Sequence, residues 1–82
     1  MNISITDNTL IRHGRIKIGK AERKYVAIVN RQTLTYEVDV IISNGFGSII
    51  DAFSRTIYHY ECGGYARRAV NAAIAEWRRD QA

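Results

Sequence analysis

The run GGYARRAVNAAIAEWRR, residues 63–79, constrains this chain most, because its apolar side chains repeat at the spacing of one secondary structure only. Counted from Ala66 they fall at Ala69, Val70, Ala73, Ile74 and Trp77, steps of three, four, seven, eight and eleven, which draw one stripe along an α-helix. Arg67, Arg68, Asn71, Arg78 and Arg79 lie off that stripe, so a buried face and a solvated face separate. A helix with a single apolar face needs a second layer against which to bury it. The residues upstream read as the sheet that supplies it.

Eighty-two residues leave room for a single domain, 1–82. A chain of this size buries only about 60–65% of the surface it exposes when unfolded. With 46% hydrophobic and 24% charged residues, it carries enough apolar surface to fold and is not of the disordered class. One cysteine cannot form an internal disulfide. The opening MNISITDN has neither the basic nor the apolar region of a signal peptide, so the expected compartment is a reducing cytoplasm. No apolar run approaches the ~20 residues of a membrane span, and no membrane partner is expected.

Ile3 and Ile5 alternate with polar neighbours before the turn signal Asp7-Asn8, which allows a short first strand. Ile16 and Ile18 alternate with Arg15 and Lys17 within residues 10–18, where Gly14 marks a place for a bulge. The strongest strand pair spans 24–29 and 33–42, with Leu34, Tyr36, Val38 and Val40 alternating against Thr35, Glu37 and Asp39. A three-residue loop at residues 30–32 sets Val26 and Ile28 beside Leu34 and Tyr36; a two-residue loop sets Tyr25, Ala27 and Val29 there instead. The three-residue loop is the expectation, since Val26 and Ile28 are the better core formers. After the glycine-bearing break SNGFGS, Ser48 and Asp51 resemble a helix cap, and Ile49, Ile50, Phe53 and Ile57 would share the inner face of a helix starting at Ile49, with Asp51 paired to Arg55. The opposing signal is the strand-forming run Thr56-Ile57-Tyr58-His59-Tyr60, which ends the segment as a strand.

The charge is uneven. Residues 12–31 hold seven cations against Glu22 alone, net +6, while the remainder has five cations against seven acids, net −2. Such a field draws polyanions or acidic protein surfaces. It also serves to protect strand edges from pairing with other chains. Arg67 and Arg68 stand in the first turn of the helix, where the macrodipole disfavours cations, a placement that invites a partner. Arg67, Asn71 and Arg78 form a stripe about 16 Å long, suited to phosphates or carboxylates. With the hairpin cations Arg15, Lys17 and Lys20, these residues are the candidate partner-binding set.

Catalytic chemistry has little to stand on. His59, Glu61 and Cys62 are the one cluster of suitable types, with no orienting third group beyond them, and lone cysteines are usually buried small hydrophobes. Metal binding fails on ligand number, three Cys and His residues including the distant His13 against the four of a structural zinc site. GFGS before a helix start could cradle a phosphate, yet it lacks the lysine and the spacing of a P-loop. A non-enzyme without a cofactor is expected.

Two resemblances attach to these residues. The motif GGYARRAVNAAIAEW resembles the last helix of double-stranded RNA-binding domains, which places Arg67 and Arg68 where that family sets its phosphate-gripping lysines. The hairpin of residues 25–42, the turn Gly63-Gly64-Tyr65 and the helix with Arg67, Ala69 and Ala73 look like the small accessory proteins of phages and prophages, a class that includes anti-CRISPR proteins. That resemblance implies a cofactor-free protein in the host cytoplasm, monomer or homodimer, blocking a host defence complex such as a CRISPR effector subunit. The alternative is a basic module for duplex RNA or DNA using the hairpin and Arg67-Arg68. The expected fold is α+β, a three- or four-stranded antiparallel sheet packed by the helix of residues 65–79 and by a shorter one.

Overall fold

A computed structural model of the protein describes residues 8–44 and 46–81. The strand proposed around Ile3 and Ile5 lies outside them. Four strands, β1 (Thr9–Ile18), β2 (Ala21–Arg31), β3 (Thr35–Ser43) and β4 (Ile49–Tyr58), form an antiparallel meander in the order of the chain. A single helical turn, α1 (His59–Cys62), and the helix α2 (Ala66–Gln81) follow. The α+β class and the C-terminal helix stand as expected.

The second helix does not begin at Ile49. Residues 49–58 are a strand along the whole length of β3, pairing Ile57 with Tyr36, Arg55 with Val38 and Phe53 with Val40. Backbone pairing with β3 outweighs the helical spacing of Ile49, Ile50, Phe53 and Ile57. Arg55 then meets Asp80 of α2 at 2.7 Å, not the expected Asp51. The short helix is α1, and a strand, not a helix, begins at Ile49 after the GFGS segment, of which residues 46–48 are described. Asn44 instead holds this turn, its Oδ1 accepting hydrogen bonds from the amides of Phe46 and Ser48.

The β2–β3 register also differs from expectation. Val29 pairs with Val38, Ala27 with Val40 and Tyr25 with Ile42, so the odd-numbered residues of β2 face the core. The turn is the two-residue Thr33-Leu34, bracketed by Gln32 donating to the Thr35 carbonyl at 2.8 Å, and Leu34 stands 70% exposed at its tip. Size explains the choice. Ala27, Ala69 and Ala73 are all fully buried, and small side chains on both layers let the helix axis come close to the sheet. Val26 or Ile28 at those positions would hold the helix away.

The core lies between α2 and one face of the sheet, against β4 and β3 chiefly and β2 to a lesser extent. Val29, Val38, Val40, Ile42 and Ile57 are its largest fully buried side chains. Each contributes about 1.5–3 kcal/mol of burial. Trp77 closes the stripe, 6% exposed and stacked on Phe53 with ring centroids 5.1 Å apart and planes within 6°. Ile74 packs at the margin.

Gly14 makes no bulge: β1 and β2 stay in register from Thr9–Asn30 to Ile18–Ala21. The glycine serves a close approach instead. The ring of its cross-strand partner Tyr25 lies over it, and a Cβ there would sit 2.5 Å from the Tyr25 ring and hydroxyl.

Two stability outcomes follow from this packing. Trp77→Ala removes the stacked ring and is expected to lower unfolding stability by about 3–5 kcal/mol in urea denaturation, far more than Arg79→Ala at the exposed end of the same helix. Gly14→Ala displaces the Tyr25 ring at a cost of about 1–3 kcal/mol, and the double variant Gly14→Ala with Tyr25→Ala should show most of that clash relieved in a mutant cycle.

Candidate functional site

The basic residues of α2 are placed by the turn before it. Gly63 and Gly64 take positive φ, 63° and 78°, which side chains disfavour, and reverse the chain between α1 and α2. The turn is tied down from the sheet. Tyr36 donates its hydroxyl to the Gly64 carbonyl at 2.7 Å, and the Gly64 amide donates to the His59 carbonyl at 2.9 Å. His59 in turn packs against Tyr36, ring centroids 4.6 Å apart and planes tilted by 45°, with its Nε2 3.1 Å from the Thr35 carbonyl and its amide donating to the Leu34 carbonyl. The start of α2 is thus fixed to β3 through a buried tyrosine.

Beside that anchor is an open cleft of about 550 Å³ lined by Arg67, Arg68, Tyr65, Tyr36, Leu10 and Arg12. Arg12 comes from β1, and the other two arginines from the first turn of α2. Arg68 lies over the Tyr65 ring, 5.2 Å from its centroid, a stacking that holds the guanidinium in place while leaving its edge available. Among the described residues no carboxylate lines the cleft. Three guanidinium groups at the positive end of a helix dipole raise the local potential, and each is exposed.

The remaining candidates are dispersed. Arg78, at the far end of α2, donates to the Lys17 carbonyl at 3.2 Å, and both residues line a second opening of about 400 Å³ with Trp77, Ile50 and Asp51. Asp51 offsets the positive charge there. Asn71 is exposed on α2 between the two ends. Lys20 is exposed in the β1–β2 turn. Arg15 belongs to the opposite face of the sheet, paired with Glu22 at 3.4 Å. The structure therefore gathers Arg67 and Arg68 with Arg12, brings Arg78 to the backbone of Lys17, and leaves Arg15 and Lys17 together on the opposite face of the sheet. Arg12 was not singled out from sequence, although period-two spacing puts it on the face of Ile16 and Ile18.

Cys62 is buried as the last residue of α1, its thiol directed at the carbonyls of Tyr58 and His59 at 3.6 and 3.7 Å. The His59 ring is occupied by Tyr36 and Thr35, and Glu61 accepts the Tyr58 amide at 2.9 Å. These three side chains do not converge on a common point. Among the described residues no group of three or more His, Cys, Asp and Glu side chains could hold a metal ion, and no helix is long and apolar enough to cross a membrane.

Tyr36→Phe tests the anchor. Loss of the bond to Gly64 is expected to lower stability by about 0.5–1.5 kcal/mol while the ring contact with His59 survives, and amide hydrogen exchange should quicken at Gly64 and Tyr65 first. Comparison of the chain with protein families, with curated proteins and with solved structures found no match in any of the three.

Proposed function

We propose that this is a binding protein without catalysis, which takes an acidic side chain or loop of a partner protein into the cleft of Arg12, Arg67 and Arg68. The observation that carries this reading is the composition of the cleft, three exposed guanidinium groups beside Tyr65 and Leu10 with no carboxylate among the described lining residues. Arginine and tyrosine are the side chains enriched at protein interfaces, where planar groups give area and directed hydrogen bonds with little entropy to lose. In the biological setting suggested by the resemblance to phage accessory proteins, the partner is a subunit of a host defence complex and the outcome is its physical blockade.

A duplex-binding module is the second reading, favoured by Arg78, a further exposed cation at the far end of the same helix. A duplex needs a run of cations along its backbone, and here Asp51 interrupts the line while Arg15 faces the other way. The compact cleft fits a protein partner better.

The test has two arms. In a host carrying an active CRISPR system, expression of the chain should restore plating of a targeted phage, and the Arg67→Glu, Arg68→Glu double variant should lose that effect while Lys20→Glu keeps it. Capture of the partner after nuclease treatment should weaken by about 2–5 kcal/mol in the double variant. Tight binding to duplex DNA or RNA, with log affinity falling steeply in log salt and with Lys17→Glu and Lys20→Glu as harmful as Arg67→Glu, would replace the protein partner by nucleic acid.

A further inference from the structure

The helix covers one face of the sheet, and no described residue forms a layer on the other. On that open face, residues paired across the strands make an apolar centre. Ile11 lies opposite Ile28 in one row, which ends towards β4 in Asp39, and in the next row, which begins at His13, Val26 lies opposite Ile41 and Ile41 opposite Ala52. Ile11 is 46% exposed, and Val26, Ile28 and Ile41 are each only partly covered. A sheet face that meets only water reads as polar residues in alternation with the core, and here four neighbouring positions of that face, Ile11, Val26, Ile28 and Ile41, carry large apolar side chains instead.

Charge is distributed around that centre in a self-complementary way. On one side along the strands are Arg15, Lys17 and Lys24 with Glu22, net two positive. On the other are Glu37 and Asp39, net two negative, held upright by Thr56 and Ser54 of β4. We infer that the open face is the interface of a symmetric homodimer, two sheets stacked face to face about a two-fold axis through the apolar centre. A two-fold that carries the acidic side onto the basic side makes the same match twice, so four positive and four negative charges are paired across the interface. The stacking that keeps like sides together repels twice over, and so the charge pattern selects one orientation.

The area suffices. Four strands about 4.8 Å apart, each ten residues long at about 3.4 Å per residue, present roughly 650 Å² per copy. The two copies together bury roughly 1,300 Å², within the range of specific interfaces, about 1,200–2,000 Å². Sheets stack about 10 Å apart, a gap that Ile11, Val26, Ile28 and Ile41 from both copies fill by interdigitation. The cleft of Arg12, Arg67 and Arg68 lies on the helix side and stays open in such a dimer.

Sedimentation equilibrium of the full chain from about 1 µM to about 1 mM, a span that separates weak from tight association, should show a concentration-dependent rise to twice the 9.3 kDa chain mass. Ile28→Lys should leave a monomer. Ile11→Lys, on an edge strand and already half exposed, should do the same with an unchanged circular dichroism spectrum, so loss of the dimer is not loss of the fold. Lys24→Glu and Asp39→Lys should each weaken the dimer by at least about tenfold, and the two together should restore it, because the swap keeps the faces complementary. A chain that stays monomeric to the highest concentration, a dimer indifferent to Ile28→Lys and Ile11→Lys, or a charge swap that fails to rescue would each overturn the inference.

Discussion

Everything in this structure depends on how closely α2 can approach the sheet. Ala27 of the sheet and Ala69 and Ala73 of the helix have no exposed surface, and they share one core with the larger residues Val29, Val38, Val40, Ile42 and Ile57. Close contact between layers lets so short a chain fill its core to the density of larger proteins. It also dictates the register of β2, for the odd-numbered residues are the ones that carry a small side chain under the helix. The same approach aligns Trp77 flat on Phe53 and brings Asp80 to Arg55, so the far end of α2 is docked by a ring stack and an ion pair.

The near end is docked differently, and that difference gives the molecule its functional side. There the helix start is held by a hydrogen bond from Tyr36 to a glycine carbonyl and by the histidine packed at a tilt against that tyrosine. This anchor uses no charge, so among the described residues Arg67 and Arg68 have no carboxylate beside them where Arg12 reaches across from β1. Cations in the first turn of a helix work against the dipole. The placement is tolerable on an exposed surface and useful where an anion is to be received.

How much of this could be read from residues alone depended on how many patterns each stretch satisfied. The stripe from Ala69 to Trp77 fits a helix and nothing else, so α2 was legible to within two residues. Residues 49–58 fit two patterns, because Ile49, Ile50, Phe53 and Ile57 have helical spacing while Phe53 and Ile57 also alternate. Arg55 hides the strand, being a charged residue on the inner face, with its guanidinium reaching Asp80 and lying 5.6 Å from the Phe53 ring centre. For β2 the ambiguity is compositional. Tyr25, Ala27 and Val29 compete with Val26 and Ile28, and a sheet apolar on both faces gives no reason in sequence to prefer either. The cleft was half legible, since Arg67 and Arg68 stand out by position, whereas Arg12 becomes informative only once β1 is known to lie beside α2.

The strand order has a kinetic meaning of its own. Because each strand pairs with its neighbour in the chain, β1 with β2, β2 with β3, β3 with β4, loop closure costs little and the contacts within the sheet are of short range in sequence. Such hairpins zip on the microsecond scale, yet a meander of this size is only marginal until one face is covered. The long-range step is the return of α2 across the sheet, which makes the late-forming contacts of Ala69, Ala73 and Trp77 the point at which local zippering becomes a cooperative fold.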